Sequence, residues 1–180
     1  MIDLDNPIIS AVRSTAEYDL ALTSPVSAIF LLSSDVMTLQ SLVNKKGDKK
    51  IFVHIDMSEG VGKDKKGIEF LKSIGVDGII STKNAMIAMA KEKGLMTVQR
   101  FFIIDSKSVE TTLEIIKNTK PDFAELMPGV IPKAIKAVAE VTTTPIITGG
   151  LIQTKADVVN ALSAGAYAVS TASRELWEME

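Results

Sequence analysis

The sequence predicts an α/β fold, a small (β/α)8 barrel of the TIM type, and three observations predict it. Short apolar runs rich in Ile and Val recur along the chain, each followed by a segment of helical period. That alternation specifies a parallel sheet covered by helices. The unit repeats eight times, which favours closure into a barrel over an open doubly wound sheet, the alternative architecture. The stretch from Pro145 to Ala172 reads as strand, Gly149-Gly150 turn, helix, and a second strand ending in Ser170-Thr171. Barrels of this class hold phosphate after their seventh and eighth strands, beside a short extra helix.

The elements follow in order. Pro7 to Val12 is the first strand, and a helix runs from about Thr15 to Ser24. Val26 to Leu32 is the second, and Ser33, Ser34 and Asp35 offer N-caps for a helix ending at Gly47. Ile51 to Asp56 is the third. A loop with Gly60 and Gly62 follows, then a helix through Ile68, Leu71 and Ile74, stopped by Gly75. Gly78 to Ser81 is the fourth, its helix ending at Gly94. Met96 to about Ile104 is the fifth, with a helix through Leu113 and Ile116. Asp122 to Met127 is the sixth, broken by Pro128-Gly129, and Pro132 falls in the first helical turn, where proline is tolerated. The seventh and eighth strands complete the set, with Thr154-x-x-Asp157 as a capping box and a very short last helix from about Arg174.

Bulk properties narrow the function. The 180 residues fit one barrel domain over 1–180 with short loops, below the usual size of ~200 residues upward. Aromatics are 5% of the chain, so the core must be aliphatic. A net charge of −2 gives no global attraction to nucleic acid, so such binding must rest on a local patch. With no cysteine and one histidine, disulfides, a thiol nucleophile and the usual zinc sites are excluded, and no metal is assigned. No apolar run approaches the ~20 residues of a membrane span, and MIDLDNP is not a signal peptide, so a cytoplasmic protein is expected.

Alternation along the strands sorts the side chains. Ile51, Val53 and Ile55 fit the helix-facing set, which sends Phe52, His54 and Asp56 toward the barrel axis. The same argument turns Phe123, Glu125 and Met127 inward. A glutamate in an apolar strand is costly to bury unpaired. His54, Asp56 and Glu125 thus form a polar layer near the mouth, either as ligand contacts or as a satisfied structural network. The three arginines, Arg13, Arg100 and Arg174, all fall at the same end, and their planar forks suit phosphate or carboxylate. Lys45, Lys46, Lys49, Lys50, Lys91, Lys93, Lys117 and Lys120 fall at the opposite face, where lysine near a helix C-terminus is stabilised by the dipole. Lys63, Lys65 and Lys66 lie in the loop after strand three, beside the mouth. These residues imply an anion site built from Gly149, Gly150, Ser170 and Thr171, with Arg13 and Arg100 at its edge and Gly129 in the neighbouring break.

Several motifs carry a resemblance. VHIDMSEGVGKDKKG (53–67), GIISTK (78–83), QRFFIIDS (99–106), ELMPGVIP (125–132) and TGGLIQTKADVVNALSAGAYAVSTA (148–172), with PIISAVR (7–13) and ELW (175–177), resemble the bacterial glycerol uptake operon antiterminator regulatory proteins. The similarity runs over nearly the whole chain in the same order. It implies a regulator without catalytic turnover. Such a regulator would respond to glycerol 3-phosphate, need no cofactor, bind the leader mRNA of glycerol-utilisation genes, and prevent premature termination. For such an effector the inward-facing Glu125, Asp56 and His54 are the candidates to meet its hydroxyls, and the loop from Glu59 to Lys66 is expected to order over it and present Lys63, Lys65 and Lys66 to RNA. The alternative is a barrel isomerase or lyase acting on a small phosphorylated substrate, with His54 and Glu125 as acid and base; against it, no lysine lies within a strand to form a Schiff base and the loops are too short to exclude water well. The chain stops soon after Trp177, so barrel closure is expected to be weakest there, and a homo-oligomer is one way of covering the gap.

Overall fold

A computed structural model describes residues 6–179; the segment Met1–Asp5, with most of the stretch read as lacking a signal peptide, lies outside the described residues, as does Glu180. Eight parallel strands close into a barrel: β1 (Ile8–Val12), β2 (Ala28–Leu31), β3 (Lys50–His54), β4 (Gly78–Ser81), β5 (Met96–Phe102), β6 (Phe123–Met127), β7 (Ile146–Gly149) and β8 (Ala168–Thr171). Helices alternate with them: α1 (Thr15–Thr23), α2 (Val36–Asn44), α3 (Lys65–Ser73), α4 (Asn84–Glu92), α5 (Ser106–Thr119), α6 (Pro132–Ala139), α7 (Lys155–Ser163) and α8 (Arg174–Trp177). The strands pair in chain order, and β8 returns to β1 with Ile9 opposite Ser170 and Ser10 opposite Thr171.

Two apolar layers result from the two-residue side-chain period. Ile9, Phe30, Phe52, Ile80, Val98, Phe123 and Ile147 fill the barrel interior. Ile51, Val53, Ile79, Leu126 and Val169 belong to the larger layer under the helices. Phe30 and Phe52 meet edge to face with centroids 5.4 Å apart, an arrangement favoured by the ring quadrupoles. Gly78 has no room for a Cβ, which would sit 2.6 Å from the Phe52 ring. The interior is thus packed solid below the mouth.

Local differences from the sequence reading have visible causes. β3 ends at His54, and Ile55–Met57 form a single 3-10 turn. Asp56 therefore leaves the strand; its carboxylate accepts from the Ser81 hydroxyl at 2.7 Å and from the Thr82 N–H at 2.8 Å. Ser34–Asp35 and Ser58–Glu59 form a small parallel pair above the barrel, so the loop after β3 is anchored at its start. Asp35 caps α2, which ends at Asn44, three residues before the expected Gly47. α5 ends on Lys120 in the left-handed region (φ 49°) rather than on a glycine. The capping box at Thr154 and Asp157 is formed, and Pro132 opens α6.

Closure is complete where a gap was expected. α8 has only four residues, but Trp177 is buried and its indole N–H donates to the Thr171 carbonyl at 2.8 Å. Asn6 donates to the Met179 carbonyl and accepts from the Ile8 N–H, joining the two ends of the described chain. Trp177 thus ties the short helix to the end of β8.

Candidate functional site

The mouth at the C-terminal ends of the strands holds a cavity of about 590 Å³. Arg13, Arg100, Glu125, Gly150, Leu151 and the segment Ser170–Ser173 are among its lining residues. Its floor is built by three neighbouring elements. Register places Arg100 of β5 opposite Glu125 of β6, and Glu125 opposite Ile147 of β7. The Glu125 side chain is fully buried, with Oε2 accepting from Arg100 Nε at 2.7 Å and Oε1 accepting from the Ser170 hydroxyl at 2.8 Å. A buried carboxylate needs this pairing, since the charge is otherwise untenable away from water.

The consequence for Arg100 is directional. Only its Nε is engaged by Glu125, and no described group accepts from its two Nη groups, although the residue lines the cavity. Arg13 is exposed on the other wall, and its guanidinium has no ion pair among the described residues. Its backbone N–H donates to Glu17 instead. Two guanidinium groups with open donors beside a glycine-rich turn are chemically suited to a small oxyanion.

The turns that frame the cavity are braced from within. Gly150 has φ +78°, and a Cβ there would meet Met127 at 2.7 Å. Leu151 also has positive φ (63°), while its side chain is exposed. Such a backbone is costly outside glycine and is tolerated only where its surroundings impose it. Gly129, which follows the cis Met127-Pro128 bond, donates its N–H to the Gly150 carbonyl at 3.0 Å. The Thr171 hydroxyl donates to the Ile152 carbonyl and accepts from the Ser173 N–H. Both hydroxyls of the predicted Ser170-Thr171 pair therefore shape the site through protein partners.

Of the residues read from sequence, the structure brings Arg13, Arg100, Glu125, Gly150, Ser170 and Thr171 to one cavity. Gly149 lies just behind it, against the bond between Ser170 and Glu125. His54 is buried below, with an Nδ1 that has no hydrogen-bond partner. Burial, reinforced by the Arg100 charge, pushes the His54 pKa down, while Asp56 and Glu125 oppose it. Burial works to raise the Asp56 pKa, but the Thr82 N–H and the Ser81 and Thr82 hydroxyls hold it below the ordinary carboxylate range. Arg174 does not line the cavity. Leu32, Gln153 and Glu175 do; nothing in their local sequence singled them out. Among the described residues no group of three or more His, Cys, Asp or Glu is placed to hold a metal.

The His54 shift has a measurable sign. A histidine whose folded pKa lies below its unfolded value, near 6.5, binds its proton more readily when unfolded. Its contribution to stability is intact above pH ~6.5 and declines as the pH falls from there toward the folded value. Unfolding free energies in urea are expected to fall between pH ~7 and ~5 in the native protein, and His54→Asn is expected to flatten that slope. An unchanged slope in the variant would assign the acid sensitivity to other groups.

The lysines divide by face. At the N-terminal end of the barrel, Lys49 donates to the Ser24 and Val26 carbonyls, Lys91 to the Thr119 and Lys120 carbonyls, and Lys46 to the Gly75 carbonyl and Asp77. These cations satisfy helix ends and turns, as the dipole argument predicts. Near the mouth, Lys63 folds back on its own loop and donates to the Ser58 and Val61 carbonyls. Burial lowers its pKa, with Asp56 opposing. Lys65 and Lys66 open α3 and point outward, in exposed pairs with Glu92 and Glu69.

Comparison with known proteins bears on the family and the fold. The family model described as glycerol-3-phosphate responsive antiterminator matches residues 8–177. The crystal structure of the glycerol uptake operon antiterminator regulatory protein from Listeria monocytogenes superposes with a TM-score of 0.93 at 33% identity, covering 100% of this chain and 99% of that one. A glycerol uptake operon antiterminator-related protein from Thermotoga maritima gives 0.86 at 33% identity, covering 97% and 99%. The uncharacterized protein YgcP of Escherichia coli is 36% identical over 177 residues, 97% of this chain and 93% of that protein. No helix among the described residues is long and apolar enough to cross a membrane. The chain belongs to the glycerol-3-phosphate responsive antiterminator family.

Proposed function

We propose that the protein is a cytoplasmic transcription antiterminator that binds glycerol 3-phosphate in the mouth cavity and, so loaded, binds the leader mRNA of glycerol-utilisation genes. The observation that carries this reading is the Arg100 guanidinium, steered through Nε by Glu125 and left with open donors beside Arg13 and the Gly150 turn. The phosphoryl group sits between the two arginines and the backbone of Gly149 to Leu151 and Ala172. The glycerol hydroxyls lie toward the polar floor formed by Glu125 and Ser170. Glu125 has both oxygens engaged, which suits a binding floor better than a proton-transfer base. The effector can change RNA affinity only by preferring one arrangement of the mouth loops. The segment from Glu59 to Lys66, a loop and the first turn of α3, is one such element, with Lys65 and Lys66 as its RNA contacts and Lys63 as its internal brace.

Calorimetric titration with glycerol 3-phosphate, glycerol and inorganic phosphate tests the first half. Glycerol 3-phosphate is expected to bind most tightly, and Arg13→Ala to weaken it by about 10-fold or more with little change in stability. Retention of labelled leader RNA with and without glycerol 3-phosphate tests the second. Absence of binding heat, or conversion of the phosphorylated compound into a product, would overturn the reading.

A further inference from the structure

Three features converge on one arc of the mouth, over β4 to β7. The first is charge. Lys83, Lys107, Lys133 and Lys155 stand at the starts of α4, α5, α6 and α7, and all four are exposed. A cation in the first turn opposes the helix dipole. Lys107 has one exposed pair, with Glu110 at 3.3 Å, and the other three have no ion pair among the described residues. The acids of the same arc are turned to other uses. Asp105 caps α5 through the Ser108 N–H, and Asp157 caps α7 through the Thr154 hydroxyl and the Gln153 and Thr154 N–H groups. Asp105 and Asp157 are thus engaged by N–H and hydroxyl donors rather than by these lysines, while Asp105 and Glu110 stay exposed beside Lys107. Glu59 and Glu175, which have no such partners, lie on other loops of the mouth.

The second feature is exposed apolar surface. Phe102, at the end of β5, is 58% exposed, and Ile104 (85%), Leu151 (69%), Val130 and Ile131 are exposed on the loops between these lysines. The aromatic content of the chain is low, yet the fold leaves the Phe102 ring in solvent at the end of β5. The third feature is a groove of about 490 Å³ between the first turns of α5 and α6, lined by Ile104, Val109, Ile131 and Lys133 among others. Apolar platforms interleaved with cations match a single-stranded polyanion whose flat bases stack while its phosphates meet the lysines.

We propose that this arc is the surface that takes single-stranded leader RNA: Lys83, Lys107, Lys133 and Lys155 contact phosphates, and Phe102 and the groove by Ile104 and Ile131 receive unpaired bases. The inference rests on the RNA half of the proposed function and places the contact beyond the loop that carries Lys65 and Lys66. Leu151 belongs to both the arc and the effector cavity, so the ligand lies next to the RNA surface.

Fluorescence anisotropy of a labelled leader RNA, with saturating glycerol 3-phosphate, tests it. Lys107→Glu with Lys133→Glu is expected to weaken binding by about 10-fold or more and to make its salt dependence shallower by about two ions. Phe102→Ala is expected to weaken it by roughly 5-fold or more. Lys117→Glu with Lys120→Glu, on the opposite face, is expected to change it little. Circular dichroism checks that each variant is folded. If the arc variants bind like the native protein, the surface assignment is wrong while the antiterminator reading stands. If the native protein itself binds no RNA, both fall. If Ile104→Asp separates an oligomer into monomers with RNA affinity unchanged, the arc belongs to a second copy of the chain and the proposal is overturned.

Discussion

Replacing Arg100 by leucine is expected to lower the unfolding free energy by about 3–5 kcal/mol, the usual cost of breaking one side of a buried ion pair. The reason lies in its partner. Glu125 is wholly buried, and the loss of Arg100 leaves its charge with the Ser170 hydroxyl alone. Exposed pairs elsewhere give the contrast. Lys107–Glu110 and Lys136–Glu140 have partners more than 60% exposed, and losing either is expected to cost less than ~1 kcal/mol. The double variant with Arg100→Leu and Glu125→Leu is expected to be less destabilised than Arg100→Leu, because no uncompensated charge remains. Urea unfolding at constant m-value reads all three. A cost below ~1 kcal/mol for Arg100→Leu would mean that water already reaches Glu125, and the rigid floor argued above would be lost.

The same pair marks how far the sequence could be read. Two-residue alternation was enough to turn Phe52, His54, Phe123 and Glu125 inward, because the strands are short and regular and each side has a distinct apolar layer. It was also enough to put Arg13 and Arg100 at one end, since strand order fixes which terminus faces the mouth. Alternation fails where the backbone leaves the strand. Alternation extends β3 to Asp56, but a 3-10 turn carries that residue across to Ser81 and Thr82. That competition between a strand and a carboxylate seeking N–H and hydroxyl donors is tertiary and has no local signature. Lys63 reads as an outward charge, yet its ammonium caps carbonyls within its own loop. The exposed ring of Phe102 was invisible for the opposite reason. Apolar residues predict burial on average, and only the finished barrel shows which one is left uncovered.

Gly149 belongs to the anion site that the sequence implies, and the structure adds a packing requirement at this position that a variant can isolate. A Cβ at this position would stand 2.1 Å from Ser170 Oγ and 3.0 Å from Glu125 Oε1. Gly149→Ala must therefore displace the Ser170 hydroxyl, breaking a buried hydrogen bond and overfilling a packed floor. Each effect costs about 1–3 kcal/mol, so a total loss of roughly 2–6 kcal/mol is expected, with the affinity for glycerol 3-phosphate falling as the Glu125–Arg100 pair shifts. Backbone strain does not contribute, since Gly149 lies in β7 and is not among the glycines of positive φ. Ser170→Ala alone removes the hydroxyl and is expected to cost about 1–2 kcal/mol. Ser170→Gly clears the space more fully. Combined with Gly149→Ala, it is expected to give a double variant more stable than the sum of the two single losses predicts, by about 1 kcal/mol or more. Residues in direct contact show such coupling, whereas independent sites add within about 0.5 kcal/mol. Additive losses would mean that the alanine methyl is accommodated elsewhere and that the Ser170–Glu125 contact does not require glycine at position 149.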